Sequence, residues 1–241
     1  MTDRKQLLEE FLSAATVDEE VFALRLDYRA LLIAVDGITP GSGDDSSESL
    51  LTAAEAAATR ALQDHRAEDL PAIASWRAAY RAFGAKPQRT RNSLEALTRR
   101  AVTGLPRVNR LTDIYNAISV LHGIPLGGED LDRYDGAPHL TRAAGGEWFD
   151  TVADGAPAVE NPEPGEVIWR DATGVTCRRW NWRQGTRTQL TDTTTRALFI
   201  LDALDPITDE ALSLATQDLT EQLVRLGPNV VVAGRTLTAN P

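Results

Sequence analysis

The hydrophobic pattern of this chain changes period at Gly123-Ile124-Pro125, and that single change constrains the fold more than any other feature. Before it, apolar residues recur mostly at helical spacing. After it, to about Leu204, short β-rich runs alternate with Gly and Pro turns. Helices come first and a meandering sheet follows, the order of an α+β fold and not of repeated βαβ units. With 241 residues, 42% of them hydrophobic and 25% charged, the chain has material for a sizeable core, and a wholly disordered or fibrous protein is excluded.

The N-terminal stretch MTDRKQLLEEFL is charged and helix-like. Residues 22–28 alternate large and small or polar side chains and lead into the apolar run 31–35, which predicts a strand or strand pair. After the polar loop GSGDDSSES, whose last serines are placed to cap, Leu50, Leu51, Ala54, Ala58 and Leu62 predict a long helix. Pro71 opens another that runs to Phe83-Gly84. Asn92, three residues before Glu95, has the spacing of a capping box, with Leu94, Leu97 and Ala101 on one face. Thr112 or Asp113 is the expected cap of the next helix, which sets Ile114, Ala117, Ile118 and Leu121 on one face and the polar stripe Asp113, Asn116 and Ser119 on another. Strands are expected over 139–143, 167–170, 175–182 and 194–201. Thr208 caps a final helix carrying Leu212, Ala215, Leu219, Leu223 and Leu226, and 230–233 forms a last strand.

Charge is distributed unevenly. The chain carries −10 overall, yet between Trp76 and Arg110 there are nine basic residues and one acid, Glu95. Such a segment marks a localised polyanion site or a set of arginines paired with distant carboxylates; charge alone does not separate the two. Overall acidity argues against indiscriminate nucleic-acid or membrane binding, and DNA is not an expected partner. No run of eighteen apolar residues and no signal-peptide pattern occurs, so the expected location is the cytoplasm. One cysteine and three histidines offer no disulfide and no zinc spacing; no metal or cofactor is expected.

Common catalytic motifs are missing. GSGDDS has two acids where a phosphate loop needs a lysine, and no Gly-x-Ser-x-Gly elbow occurs. Cys177 is expected as a small packed residue, and His65 and His122 as helix-end residues. In CRRWNWR, strand alternation puts Thr176, Arg178, Trp180 and Trp182 on one face, as core or as a base-stacking platform, with core favoured. In PLGGEDLDRYDG, glycines surround Glu129, Asp130 and Asp132, consistent with a ligand loop or, more simply, a turn with capping aspartates.

Taken in order, WRAAYRAFGAKPQRTRNSLEALTRR, LPRVNRLTDIYNAISVLHGIPLGGEDLDRYDG, GEVIWRD, CRRWNWR and TDTTTRALFILDAL resemble the B3/B4 domain, the tRNA-editing domain of the phenylalanyl-tRNA synthetase β subunit, in a stand-alone form without the synthetase's catalytic module. The resemblance implies an α+β fold, a mixed sheet flanked by helices. Residues 1–72 form a strand and helix elaboration of the same globule, 73–228 the B3/B4 domain, and 229–241 a C-terminal strand and tail. It also implies binding of tRNA or aminoacyl-tRNA and hydrolysis of a mischarged ester in trans, or, with a degenerate site, binding of RNA or an amino acid without turnover.

Matched position by position, the family's Asp-Val-Thr-Asn corresponds to Asp113-Ile114-Tyr115-Asn116, so Tyr115 replaces a pocket threonine. The family's Pro-Met-His-Ala-Phe-Asp corresponds to 125–130, so Gly127 stands at the editing histidine. A pocket arginine falls at Arg110, a pocket glycine near Arg183, and a pocket glutamate near Ile200 with Asp202 the nearest acid. The resemblance thus implies Arg110, Asn116 and Asp130 as catalytic residues. Tyr115, Gly127, Gly128, Arg183 and Asp202 are implied as substrate contacts, and Arg89, Arg91, Arg99, Arg100 and Arg107 as phosphate contacts.

Overall fold

The computed structural model describes residues 2–239. In chain order the elements are α1 (Thr2–Ser13), β1 (Thr16–Val17), α2 (Glu19–Phe22), β2 (Arg29–Asp36), α3 (Asp45–Asp64), α4 (Pro71–Ala82), α5 (Ser93–Ala101) and α6 (Arg110–His122). Then come β3 (Leu126–Asp130), β4 (His139–Arg142), β5 (Phe149–Ala153), β6 (Ala156–Glu160), β7 (Val167–Arg170), β8 (Val175–Arg178), β9 (Arg183–Gln184), β10 (Arg196–Ala203), α7 (Asp209–Val224) and β11 (Val231–Thr238). This is the expected α+β arrangement.

One sheet has the order β11-β2-β10-β3 and is antiparallel throughout; a second has the order β1-β4-β7-β8-β9; β5 and β6 form a separate hairpin. The first sheet joins residues from both ends of the chain to β10 and β3, so the N-terminal elaboration and the C-terminal strand share one sheet with the central segment. It is covered on both faces. Ala30, Leu32, Ala34, Leu198 and Ile200 face a core completed by Leu8 and Leu12 of α1, Trp76 and Tyr80 of α4 and Trp169 of β7. Ile33, Val35, Phe199 and Leu201 face the opposite way, onto Ile114 and Ile118 of α6 and Leu212 and Leu219 of α7. This segregation follows from strand alternation, and it explains why the segments read as nearly continuous apolar runs.

Several local expectations are corrected. Residues 22–28 are not a strand: Ala23, Leu24, Arg25 and Tyr28 donate backbone bonds three or four residues back, giving successive turns after α2. Phe22 and Tyr28 still reach the core while Leu26 is exposed, so turns here mimic a period of two. The cap of α3 is Asp44, which accepts from the Ser46 and Ser47 amides while the Ser47 hydroxyl accepts from the Asp44 amide; the serines lie inside the helix. The cap of α6 is Asn109, which accepts from the Thr112 amide at 2.9 Å, displacing Thr112 and Asp113 from that role. Gly123 closes α6 at φ 66°, a conformation in which a Cβ is penalised.

The polar stripe of α6 is buried, because α3 covers the face that the sheet does not. Ser119 donates to the Ile124 carbonyl at 2.7 Å, and Asp113 accepts from the Val108 amide at 2.8 Å. The strand expected over 175–182 ends at Arg178, because Arg179 and Trp180 adopt φ of 48° and 68° and turn the chain toward β9. The single-face alignment of Thr176, Arg178, Trp180 and Trp182 is lost there. Trp180 enters the core, packed edge-on against Tyr28 at 4.9 Å and Trp76 at 5.3 Å.

Much of the basic segment is tied down. Fully buried Glu95 takes both Arg77 contacts, at 2.8 and 2.9 Å, and the Arg99 Nε at 3.0 Å, with Arg91 at 3.7 Å. Arg99 also binds Glu68, and Arg107 binds Glu48 and Glu55. Removing the shared acid strands several cations around a dry position. Glu95→Gln is therefore expected to lower unfolding free energy by on the order of 2 kcal/mol or more by urea titration. Asn109→Ala is expected to cost about 1 kcal/mol and Asn109→Ser less, because serine restores the cap acceptor.

Candidate functional site

The two sheets diverge beside α5 and α6 and leave a cavity of about 260 Å³. Its floor is the β3–β10 ladder, where Gly127 stands opposite Ile200 and Glu129 opposite Leu198. Asp202 follows two residues beyond Ile200 on the same face, so the ladder aims Gly127, Glu129, Ile200 and Asp202 at one space. Tyr115 and Asn116 of α6 form one wall, Ser93, Ala96 and Leu97 of α5 the rim, and Trp169, Cys177 and the turn 180–184 the remaining side.

Two acids at this floor lack a basic partner among the described residues. Asp202, 3% exposed, accepts from the Tyr28 hydroxyl at 2.6 Å and the Asn181 amide at 3.3 Å, and Tyr80 holds Asn181 in turn at 3.0 Å. Burial pushes its carboxyl up to about 7 despite those donors. Glu129, 2% exposed, accepts from the Tyr134 hydroxyl, and burial pushes it up to about 7 as well. They stand roughly four residues apart along the ladder, about 13 Å between backbones. They address different parts of any ligand.

Gly127 has a specific consequence. A Cβ there would lie 3.1 Å from the Gln184 amide nitrogen, so the missing side chain makes room for Gln184. Gln184 donates to the Gly128 carbonyl at 2.9 Å and accepts from the Tyr115 hydroxyl at 3.4 Å. It thus lies over the position where the resemblance puts the editing histidine. Cys177 lines the cavity, and burial pushes its thiol up, so it is present as the poorly nucleophilic thiol.

The structure gathers Asn116, Tyr115, Gly127, Arg183 and Asp202 at this cavity. Three other expected residues lie elsewhere. Arg110 binds Asp44 and the Thr39 carbonyl at the start of α3, outside the cavity. Asp130 has the opposite strand parity from Glu129 and spends its oxygens on the Thr194 hydroxyl at 2.8 Å and the Asp132 amide at 3.0 Å. Gly128 packs tightly: a Cβ would meet Leu190, Phe199 and Tyr115 within 2.9 Å. Of the expected phosphate contacts, Arg99 and Arg107 are held by carboxylates as described, and Arg100 donates to the Gly104 carbonyl at 3.0 Å. Arg89 makes no ion pair among the described residues, and Arg91 reaches Glu95 only at 3.7 Å. Both lie just ahead of Ser93 at the rim.

Trp182 is no open stacking platform, because the Arg179 and Arg183 guanidiniums sit 4.5 and 4.7 Å from its ring centre. Arg183 and Arg178 both bind Glu160 at 2.7 Å. Gln184 is a site residue that the sequence did not single out, and Glu129 stood out only as one acid of a glycine-bounded loop, not as a catalytic group. The sharper signal was the parity of β3, which puts Glu129 on the same face as Gly127. Among the described residues no group of three metal-ligating side chains converges, and no helix is long and apolar enough to cross a membrane.

No curated protein matches this sequence. Among solved structures, the chain is similar to an N-terminal fragment of the phenylalanyl-tRNA synthetase β-subunit from Pyrococcus horikoshii, with 11% identity and a TM-score of 0.49. That alignment covers 92% of this chain and 50% of the fragment, so the chain spans about half the fragment's length. The B3/4 domain model matches residues 75–225, which contain every residue lining the cavity, and the chain belongs to the B3/4 domain family.

Proposed function

We propose that the protein hydrolyses aminoacyl-tRNA in trans, with the aminoacyl group held in the cavity between the two sheets. The observation that carries this reading is Glu129: a buried carboxyl with proton affinity near neutrality, on the floor of a cavity shared with Asn116. A general base serves best when its pKa lies near the working pH. The family supports the choice of substrate, since the resemblance is to an editing domain.

The chemistry is ester hydrolysis. Ionised Glu129 takes a proton from water as the water oxygen bonds to the ester carbonyl carbon. Asn116 donates to the oxygen on which negative charge develops. The bond from that carbon to the ribose oxygen then breaks, the proton passes from Glu129 to the ribose oxygen, and the products are the free amino acid and uncharged tRNA. No protein nucleophile is required, in keeping with the protonated thiol of Cys177. Gln184, anchored on the Gly128 carbonyl, fixes the floor beside the reacting carbon. Arg89 and Arg91, next to the rim residue Ser93, meet the terminal phosphates.

The direct test is deacylation of a panel of correctly and incorrectly charged tRNAs. Glu129→Gln is expected to lower the rate by roughly 100-fold and Asn116→Ala by a similar factor, with Arg110→Ala near wild type. The wild-type rate is expected to climb with pH through about 7 and then level off, and Glu129→Gln to flatten that profile. Salt-dependent tRNA binding without hydrolysis of any charged species would instead support a binding module, the outcome that Gly127 at the histidine position favours. Arg89→Ala with Arg91→Ala is expected to weaken tRNA binding and shrink the slope of log affinity against log salt by about two.

Stability offers an independent check. The native carboxyls of Glu129 and Asp202 hold protons up to about 7, whereas the unfolded chain releases them near pH 4. The native state binds more protons in that window, so unfolding free energy is expected to fall as pH rises from 4 to 7. Asp202→Asn is expected to reduce that fall, measured by urea titrations at pH 5 and pH 8.

A further inference from the structure

The buried acids of this protein divide into three groups by what holds them. Glu95, Glu166 and Asp171 are each bound by arginine: Arg77 at 2.8 Å, Arg178 at 2.8 Å and Arg187 at 2.8 Å. Asp113 and Asp130 are spent on backbone amides that shape turns. Among the described residues, only Glu129 and Asp202 are buried acids with neither a cation nor a turn to serve, and both line the cavity. Burying a carboxyl with neutral donors alone is costly.

Asp202 is walled by aromatic rings. Its hydrogen-bonding partner Tyr28 packs against Trp180, and Trp180 and Trp169 both border the cavity. Such a lining keeps water away, and an ion pair is strongest where water is excluded. The nearby arginines do not supply one, since Arg183 at the rim is committed to Glu160. Ile200 gives the floor beside Asp202 an apolar surface suited to an aliphatic stem. The cavity volume of about 260 Å³ far exceeds the needs of one water, and the separation of the two carboxyls prevents their sharing one metal ion.

We infer that Asp202, with the Trp169 and Trp180 rings, forms a subsite for a positively charged side chain, so that the substrates are esters of basic amino acids. This rests on the aminoacyl-site reading of the cavity and names the amino-acid class that reading leaves open. The side chain lies along Ile200 beside the Gln184 amide, its cation pairs with ionised Asp202, and the ester stays at the Glu129 and Asn116 end. Pairing favours the ionised acid, so binding releases a proton.

The test uses matched probes: tRNA charged with lysine against norleucine and with arginine against citrulline, plus calorimetric titration with lysine and norleucine methyl esters at pH 7 in two buffers of different ionisation heat. The expected result is at least a 10-fold preference in kcat/KM for each cationic member. Proton release is expected with the lysine ester and not the norleucine ester. Asp202→Asn, whose fold is checked by circular dichroism, is expected to collapse the preference and abolish the release. Equal or better turnover of the neutral members, with no proton release, overturns the inference and leaves the hydrolase reading in place. Proton-releasing binding of the lysine ester without hydrolysis of any tRNA does the reverse. Neither binding nor hydrolysis overturns both, and the wild-type results decide the matter even if Asp202→Asn fails to fold.

Discussion

The structure depends on β10 being buried on both faces. Flanked by β2 and β3, the strand sends Leu198 and Ile200 into one core and Ala197, Phe199 and Leu201 into the other. Fully burying side chains of this size contributes about 1.5–3 kcal/mol each, and the same alternation dictates what the strand can present to a cavity. Any residue two positions beyond Ile200 must face the same way. Asp202 occupies that place, so a carboxyl is driven into the interior by the register of its own strand. Slipping the strand by one residue would exchange the two cores, which makes the position of Asp202 as fixed as that of Phe199.

That logic was legible in the sequence wherever one element decided the outcome. The helices at 71–82 and 93–101, the glycine closing α6 and the stripe of α7 all follow from local spacing. Asp202 could be placed beside Ile200 by parity alone. Legibility failed where distant parts of the chain met. Apart from Glu95, four residues from Arg99, the acidic partners of Arg99 and Arg107 lie 31, 59 and 52 residues away, so no local rule could tell a charged surface from a set of ion pairs. Arg110 fell to the same cause. The family pattern puts it in the pocket, whereas its position on the outside of α6 is set by contacts with the loop before α3. Trp180 takes the core place favoured for it, but the turn that delivers it there was hidden, because it needs two successive left-handed residues, a conformation that neither arginine nor tryptophan advertises.

The arginine pairings change the electrostatics as much as the packing. A segment that reads as strongly basic carries far less uncommitted charge once Glu48, Glu55, Glu68 and Glu95 are counted, within a chain of net charge −10. A polyanion approaching such a molecule gains little from long-range attraction, and contacts at the rim, within a Debye length, must carry the association. On the proposed reading this favours brief encounters: a protein that deacylates in trans gains nothing from holding the uncharged product, and a rim with few free cations lets it leave.

The same economy governs the cavity. Two buried carboxyls without cations lower native stability above neutral pH, and a core seeking only stability would place hydrophobic residues at these positions. Tyr28, Tyr80 and Asn181 instead form a relay of donors that holds Asp202 in one orientation without neutralising it. A carboxyl that is oriented in advance but uncompensated spends little further entropy when a positive group arrives, and it gains an ion pair where water is excluded. The cost carried by the empty fold then reappears as binding free energy, and it does so only for a ligand whose charge is of the opposite sign.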